Sequence, residues 1–191
     1  MRGAHEFFRP TASSLPDAYF EAVHTREHYR GFVSLAHDAA RMRRVGFAGD
    51  DTYTRALVER TRLEAAGTVL TAELALRHGL AANLAGGTHH AHADFGSGFC
   101  ILNDLAVTAA AALRGDLERG HGGGSAARGG GGGAPAASGR VRRVAIVDLD
   151  VHQGDGTATL FADEPRVHTC SVHCADNFPF RKAHSAMCRA M

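Results

Sequence analysis

No apolar run in this chain approaches the about 18 residues that a membrane span requires. The first eight residues, MRGAHEFF, also lack the apolar segment of a secretory signal. These two absences predict a soluble, intracellular protein with no membrane partner, in nucleus or cytoplasm. Charge of one sign is missing too: 21 Lys and Arg against 20 Asp and Glu leave +1 with His neutral. Without a basic face, direct nucleic-acid binding is not expected. Cysteine is scarce, and Cys100, Cys170, Cys174 and Cys188 are too unevenly placed for a disulfide framework, which favours a reducing compartment. A phosphate-cradling loop is absent as well. The glycine-rich run at 120–139 holds 10 of the 23 glycines, but no strand precedes it and no Lys-Ser/Thr pair ends it. Such a run cannot bury enough apolar surface to offset its ordering entropy, so it is expected to be a disordered insertion.

What is present is a chain of 191 residues, one domain's worth, with 13 histidines as its compositional excess. Thr25 reads as the N-cap of a short helix reaching Phe32, and Asp51 to Arg77 as a longer helix with an interruption near Gly67. Leu80 to Leu84 reads as a short strand entering a glycine turn. A helix follows from Ile101 to about Leu113, a buried strand at Val144 to Val147, a short helix at Thr157 to Asp163, and a strand at Val167 to Val172. This alternation predicts an α/β domain built on a parallel sheet with helices on both faces. Ligands then sit beyond the carboxyl ends of the strands.

Two clusters lie at such ends. Val147 runs into Asp148, Asp150, His152 and Asp155, with Gly154 and Gly156 interrupting. If the strand continues, period-two alternation puts Asp148, Asp150 and His152 on one side. Carboxylate oxygen beside imidazole nitrogen suits zinc, or a harder divalent ion if more oxygens join. Asp-rich turns after strands are common, so this run by itself also admits an ordinary loop. The second cluster, after Leu84, holds His89, His90 and His92. Adjacent histidines cannot both face a core by simple alternation, so a function must employ them.

At these clusters the sequence resembles the zinc-dependent histone deacetylase family, of the arginase-deacetylase fold, in its class IV form and bacterial relatives. The resemblance rests on GGTHHAHADFGSGFCILNDLAV (Gly86 to Val107), VDLDVHQGDGTATLF (Val147 to Phe161) and NFPFRK (Asn177 to Lys182), with VHTREHY (Val23 to Tyr29) as a weaker echo. It implies that residues 1–191 are a partial deacetylase domain interrupted by the insertion. It implies Asp150 and His152 as zinc ligands, His90 as general base and His89 as its electrostatic partner. Asp148 and Asp155 would orient His89 and His90 respectively. Phe99, with Phe178 or Phe180, would line a channel for an acetylated lysine of a protein or peptide. Asp148 and Ser171, with backbone oxygens of Asp150 and His152, match a structural monovalent-cation (K⁺) site.

The chemistry is consistent with that resemblance. Amide hydrolysis needs a Lewis acid and a base, and a base histidine needs a carboxylate to fix its tautomer. The family also uses a third zinc ligand, an aspartate on a later strand, and an oxyanion-stabilising tyrosine. Neither has a counterpart here, so the C-terminal part of the domain is expected to be missing and the chain to be a truncated form. The alternative is an inactive fragment that binds a protein partner through an exposed sheet edge, and a lesser one an acetylpolyamine amidohydrolase. His168, Cys170, His173 and Cys174 read as structural, as do His24, His28, His37 and His78; His92 stays open.

Overall fold

The computed structural model describes residues 7–11, 15–47, 53–119 and 140–190. The expected insertion at 120–139 lies outside them. Helices come first: α1 (Asp17–Phe20), α2 (Arg26–Val33), α3 (Ala39–Val45), α4 (Arg55–His78), α5 (Asp104–Arg114) and α6 (Asp116–Arg119). Then follow β1 (Val144–Asp148), α7 (Asp155–Leu160), β2 (Val167–His173) and β3 (Met187–Ala190). No helix among the described residues is long and apolar enough to cross a membrane.

Capping explains where the helices start. Thr25 accepts a bond from the His28 amide, Asp38 from Arg41, Thr54 from Leu57 and Asn103 from Ala106. The interruption expected near Gly67 does not occur, and α4 runs unbroken through it. Gly67 serves an approach instead: a Cβ there would stand 3.1 Å from Asn83 Nδ2, where the chain folds back over α4. Ala65, Ala66 and Val69 on α4 are buried with Val107 and Ala111 of α5, small side chains that let the two helices close up. Aromatic residues fill the rest of this core, with the Phe20 and Tyr29 rings stacked 4.9 Å apart.

The sheet is parallel, in the order β1-β2-β3, with Val144 opposite Val167 and Cys170 opposite Met187. A parallel pair needs a crossover, and α7 lies in the one between β1 and β2. A second apolar cluster joins α5 to the sheet through Ala106, Ala109, Leu113, Ile146, Phe161 and Val167.

Three expectations need correction. Leu80 to Leu84 forms no strand; it is an irregular connection with Leu80 86% and Leu84 97% exposed. Gly79, with a φ of 87°, turns the chain away as α4 ends, and among the described residues no strand lies beside this run to pair with it. The β1 strand is not buried on both faces: Ile146 is buried, while Ala145 and Val147 are exposed. As an outer strand of the described sheet it has one neighbour. It also ends at Asp148, so Asp150 and His152 stand on a loop rather than on strand alternation. One strand, β3, lies in the tail, where no element is expected from the sequence.

Candidate active site

The two histidines of the THH run sit where β1 and α7 meet the loop before α5. His89 Nδ1 is 2.5 Å from Asp148 Oδ2 at the end of β1, and His90 Nδ1 is 2.7 Å from Asp155 Oδ1 at the start of α7. The rings lie 4.1 Å apart, and both residues are buried. An ionised carboxylate can only accept, so each Nδ1 carries a proton; a neutral His90 ring then leaves its Nε2 as the proton acceptor. The adjacency that alternation could not explain is resolved by a turn, in which each side chain meets a carboxylate from a different element.

Burial by itself would lower the His89 pKa, but the bond and charge of Asp148, with Asp150 and Asp155 nearby, raise it above the ordinary histidine value. Burial likewise pushes Asp155 up, and the hydrogen bonds and charges of His90 and His92 more than reverse this, holding it well below the usual carboxylate range. Asp150 is also lowered: its partial burial is outweighed by the His152 amide, the His89 charge and the His152 ring.

Asp150 and His152 stand together on the loop after β1. His152 Nδ1 is 3.0 Å from Asp150 Oδ1, and its amide donates to the same oxygen at 2.8 Å. Asp150 Oδ1 is 4.0 Å from His89 Nε2, and the His90 and His152 rings are 5.7 Å apart. An oxygen and a nitrogen donor suit zinc chemically, but they are two where a catalytic site takes three protein ligands. Among the described residues no group of three His, Cys, Asp or Glu side chains is placed to hold a metal ion.

Phe178 stands edge-on to His90, centroids 4.9 Å apart, and 6.2 Å from His152. Phe99 is largely exposed and its ring meets Phe47 rather than a histidine. Phe180 is exposed, three residues along the chain from Asn177 but with no ring contact to the site among the described residues. Ser171 Oγ bonds His173 Nδ1 at 2.9 Å, and Asp148 and Ser171 together border a cavity of about 10 Å³ with Gly154, Thr157 and Thr169. Among the decoys, His24 and His28 are buried and hydrogen-bonded to backbone, while Cys174 is exposed.

Sequence reasoning missed the supports of this site. Asp104 is buried at the first turn of α5, and its carboxylate accepts from the amides of Gly87 and Thr88 at 3.0 and 2.7 Å and from Thr68 Oγ1 at 2.6 Å. A Cβ on Gly86, whose φ is 92°, would come within 2.3 Å of that carboxylate. Buried Gln153 makes two bonds to the backbone of Ala183. The signal for Asp104 was its place one residue after an N-cap; Gln153 left none.

A model of the histone deacetylase domain matches residues 3–119 and 134–189. The chain belongs to the histone deacetylase family. An uncharacterised protein of the cyanobacterium Picosynechococcus is 44% identical over 172 residues, covering 90% of this chain and 48% of that protein. Histone deacetylase 2 of Arabidopsis thaliana is 32% identical over 119 residues, 62% of this chain and 25% of that enzyme. In fold, the chain is similar to the crystal structure of a histone deacetylase homologue from Aquifex aeolicus, with a TM-score of 0.64 at 22% identity over 95% of this chain and 46% of that one. A homologue solved in complex with SAHA gives the same TM-score, 0.64, at 24% identity. The two solved homologues share this α/β architecture, and the chain spans less than half the length of each of these relatives, 48% of the Picosynechococcus protein and 46% of the Aquifex one.

Proposed function

We propose that this chain carries the acid–base part of a zinc-dependent deacylase centre, acting on acetylated lysine in a histone or another protein. The observation that carries the reading is the pair of histidine–carboxylate couples, 2.5 and 2.7 Å long, with their rings 4.1 Å apart. His90, with Nδ1 protonated toward Asp155, takes a proton from the attacking water at Nε2 and returns it to the departing lysine amine. His89, whose basicity Asp148 raises, serves as the positive partner that stabilises charge as the carbonyl oxygen becomes anionic. Phe178 forms a wall against which an alkyl chain can lie. Asp150 and His152 would hold the zinc, together with a further donor; bound there, the metal supplies Lewis acidity toward carbonyl and water. Asp148 and Ser171, with backbone oxygens of Asp150 and His152, would hold a structural monovalent cation such as K⁺, as the family resemblance implies.

The test is zinc stoichiometry on the purified chain, followed by release of acetate from an acetyl-lysine peptide and from an acetylated polyamine. One zinc per chain, lost in Asp150→Ala and in His152→Ala, with peptide deacylation lost in His90→Ala, supports the reading. Zinc and deacylation that survive in Asp150→Ala would overturn it, and preference for the polyamine would move the substrate class.

A second reading is favoured by one observation: Val147, Leu149 and Val151 are 62%, 74% and 52% exposed along the open side of β1 and the loop after it. A protein partner pairing at that edge would bury them. Light scattering coupled to size exclusion tests this, and a monomer at high concentration with no bound partner counts against it.

A further inference from the structure

Asp155 serves two histidines rather than one. Its Oδ1 meets His90 Nδ1 at 2.7 Å and the Gly156 amide at 3.0 Å, while its Oδ2 meets His92 Nε2 at 3.3 Å. The second imidazole is itself fixed. His92 Nδ1 is 2.8 Å from Thr159 Oγ1 on the exposed side of α7, and its ring stacks on Phe95, centroids 4.2 Å apart with planes 21° from parallel. The Arg44 guanidinium lies 3.6 Å from that same Phe95 ring. The backbone is tied as well: His24 Nδ1 donates to the His92 carbonyl at 2.9 Å, and the His92 amide donates to Phe95 O at the same distance.

A carboxylate held at one oxygen can rotate about its Cβ–Cγ bond, and its other oxygen then presents itself to Nδ1 in a range of directions. Held at both oxygens, it cannot. We propose that His92 is a positioning residue: by binding Asp155 Oδ2 it fixes the carboxylate so that Oδ1 holds His90 in the Nδ1-protonated form, with Nε2 free to accept. The inference rests on the reading of His90 as the base, since only there does its tautomer matter to a reaction. Asp155 is held below the usual carboxylate range by both histidines, as a carboxylate with donors at both oxygens should be. His92 touches neither Asp150 nor His152 among the hydrogen bonds and ring contacts described, so its action on the site passes through Asp155.

The experiment is long-range ¹H–¹⁵N NMR of the imidazole nitrogens in the full chain without added metal, with His90 assigned by its loss in His90→Gln. The native chain should show His90 as one tautomer, protonated at Nδ1. In His92→Leu, which removes the donor, the pattern should move to a mixture of tautomers. His92→Gln, whose amide nitrogen reaches as far as Nε2, should restore it. An unchanged His90 pattern in His92→Leu overturns the proposal. Should that variant unfold, His92→Phe keeps the stack on Phe95 and is read the same way; if both unfold while His92→Gln stays folded, the donor is structural only and the proposal fails. The readout needs neither zinc nor substrate, so absence of zinc or of deacylation would sink the catalytic reading and leave this result to stand by itself.

Discussion

The Asp104 carboxylate lies 2.7 Å from the Thr88 amide, one residue ahead of the histidine pair. It thereby ties the first turn of α5 to the loop that carries His89 and His90, and Thr68 of α4 joins the same carboxylate. Asp104→Ala takes the acceptor from the Gly87 and Thr88 amides at a partly buried place, and each hydrogen bond is worth about 0.5–1.5 kcal/mol net. Urea unfolding should show a loss of about 1–3 kcal/mol, and no measurable change would mean that the loop is held elsewhere.

Gly154 tests the closeness of the His89–Asp148 pair. A Cβ at this position would stand 2.3 Å from Asp148 Oδ2 and 3.2 Å from His89 Nδ1. Gly154→Ala must push the carboxylate aside, at a cost of about 1–3 kcal/mol for overpacking. Thermal unfolding should show that loss, together with altered His89 nitrogen shifts; unaltered shifts would show that the carboxylate does not depend on the glycine.

Acid should weaken the fold before any carboxylate titrates. Burial first, and then the neighbouring His28, push His24 down from 6.5 to about 4, and half-buried His37 is lowered to about 4 mainly by its burial. Between those pH values the unfolded chain binds protons that the folded chain refuses, so stability falls as pH drops from about 6.5 to about 4. For His24 this amounts to about 3 kcal/mol. Asp155, lowered in the fold, acts only below the ordinary carboxylate range, and His89, raised in the fold, costs stability only as pH rises past its ordinary value. Urea midpoints at pH 4.5, 6.5 and 8 should therefore be highest near 6.5, with a shallower acid slope in His24→Gln; a midpoint that rises toward pH 4.5 would contradict the burial of His24.

Thiol reactivity should divide by burial. Burial pushes the buried Cys100 thiol up to about 12, whereas Cys174 is exposed. Iodoacetamide at pH 8, read by peptide mass spectrometry, should modify Cys174 and spare Cys100 until denaturant is added. Early labelling of Cys100 would mean that the loop around Gly98 opens readily.

Much of the architecture was legible because local signals agreed with the final fold. Thr25 and the Gly79 stop bound their helices as side-chain capping and left-handed geometry require, and the β-branched runs at 144 and 167 became parallel strands. Leu80 to Leu84 failed because an apolar run says nothing about whether a partner strand is there to pair with. The reverse failure is β3, whose pairing to β2 is made by the backbone and needs no apolar pattern.

At the site, the sequence by itself determined the chemical inventory: two adjacent histidines, the carboxylates Asp148 and Asp155, and the loop donors Asp150 and His152, in motifs specific enough to indicate the family. Spacing along the chain does not say which carboxylate serves which histidine; the family resemblance assigned Asp148 to His89 and Asp155 to His90, and the fold brings each pair, 59 and 65 positions apart, within hydrogen-bond distance. Only the tertiary structure decided the place of Asp104 beneath the loop, the bonds of Gln153 to Ala183, and His92 as the second donor to Asp155. Spacing along a chain sets the reach of neighbours within one element; contacts between elements depend on how those elements pack, and that packing is settled by the whole core at once.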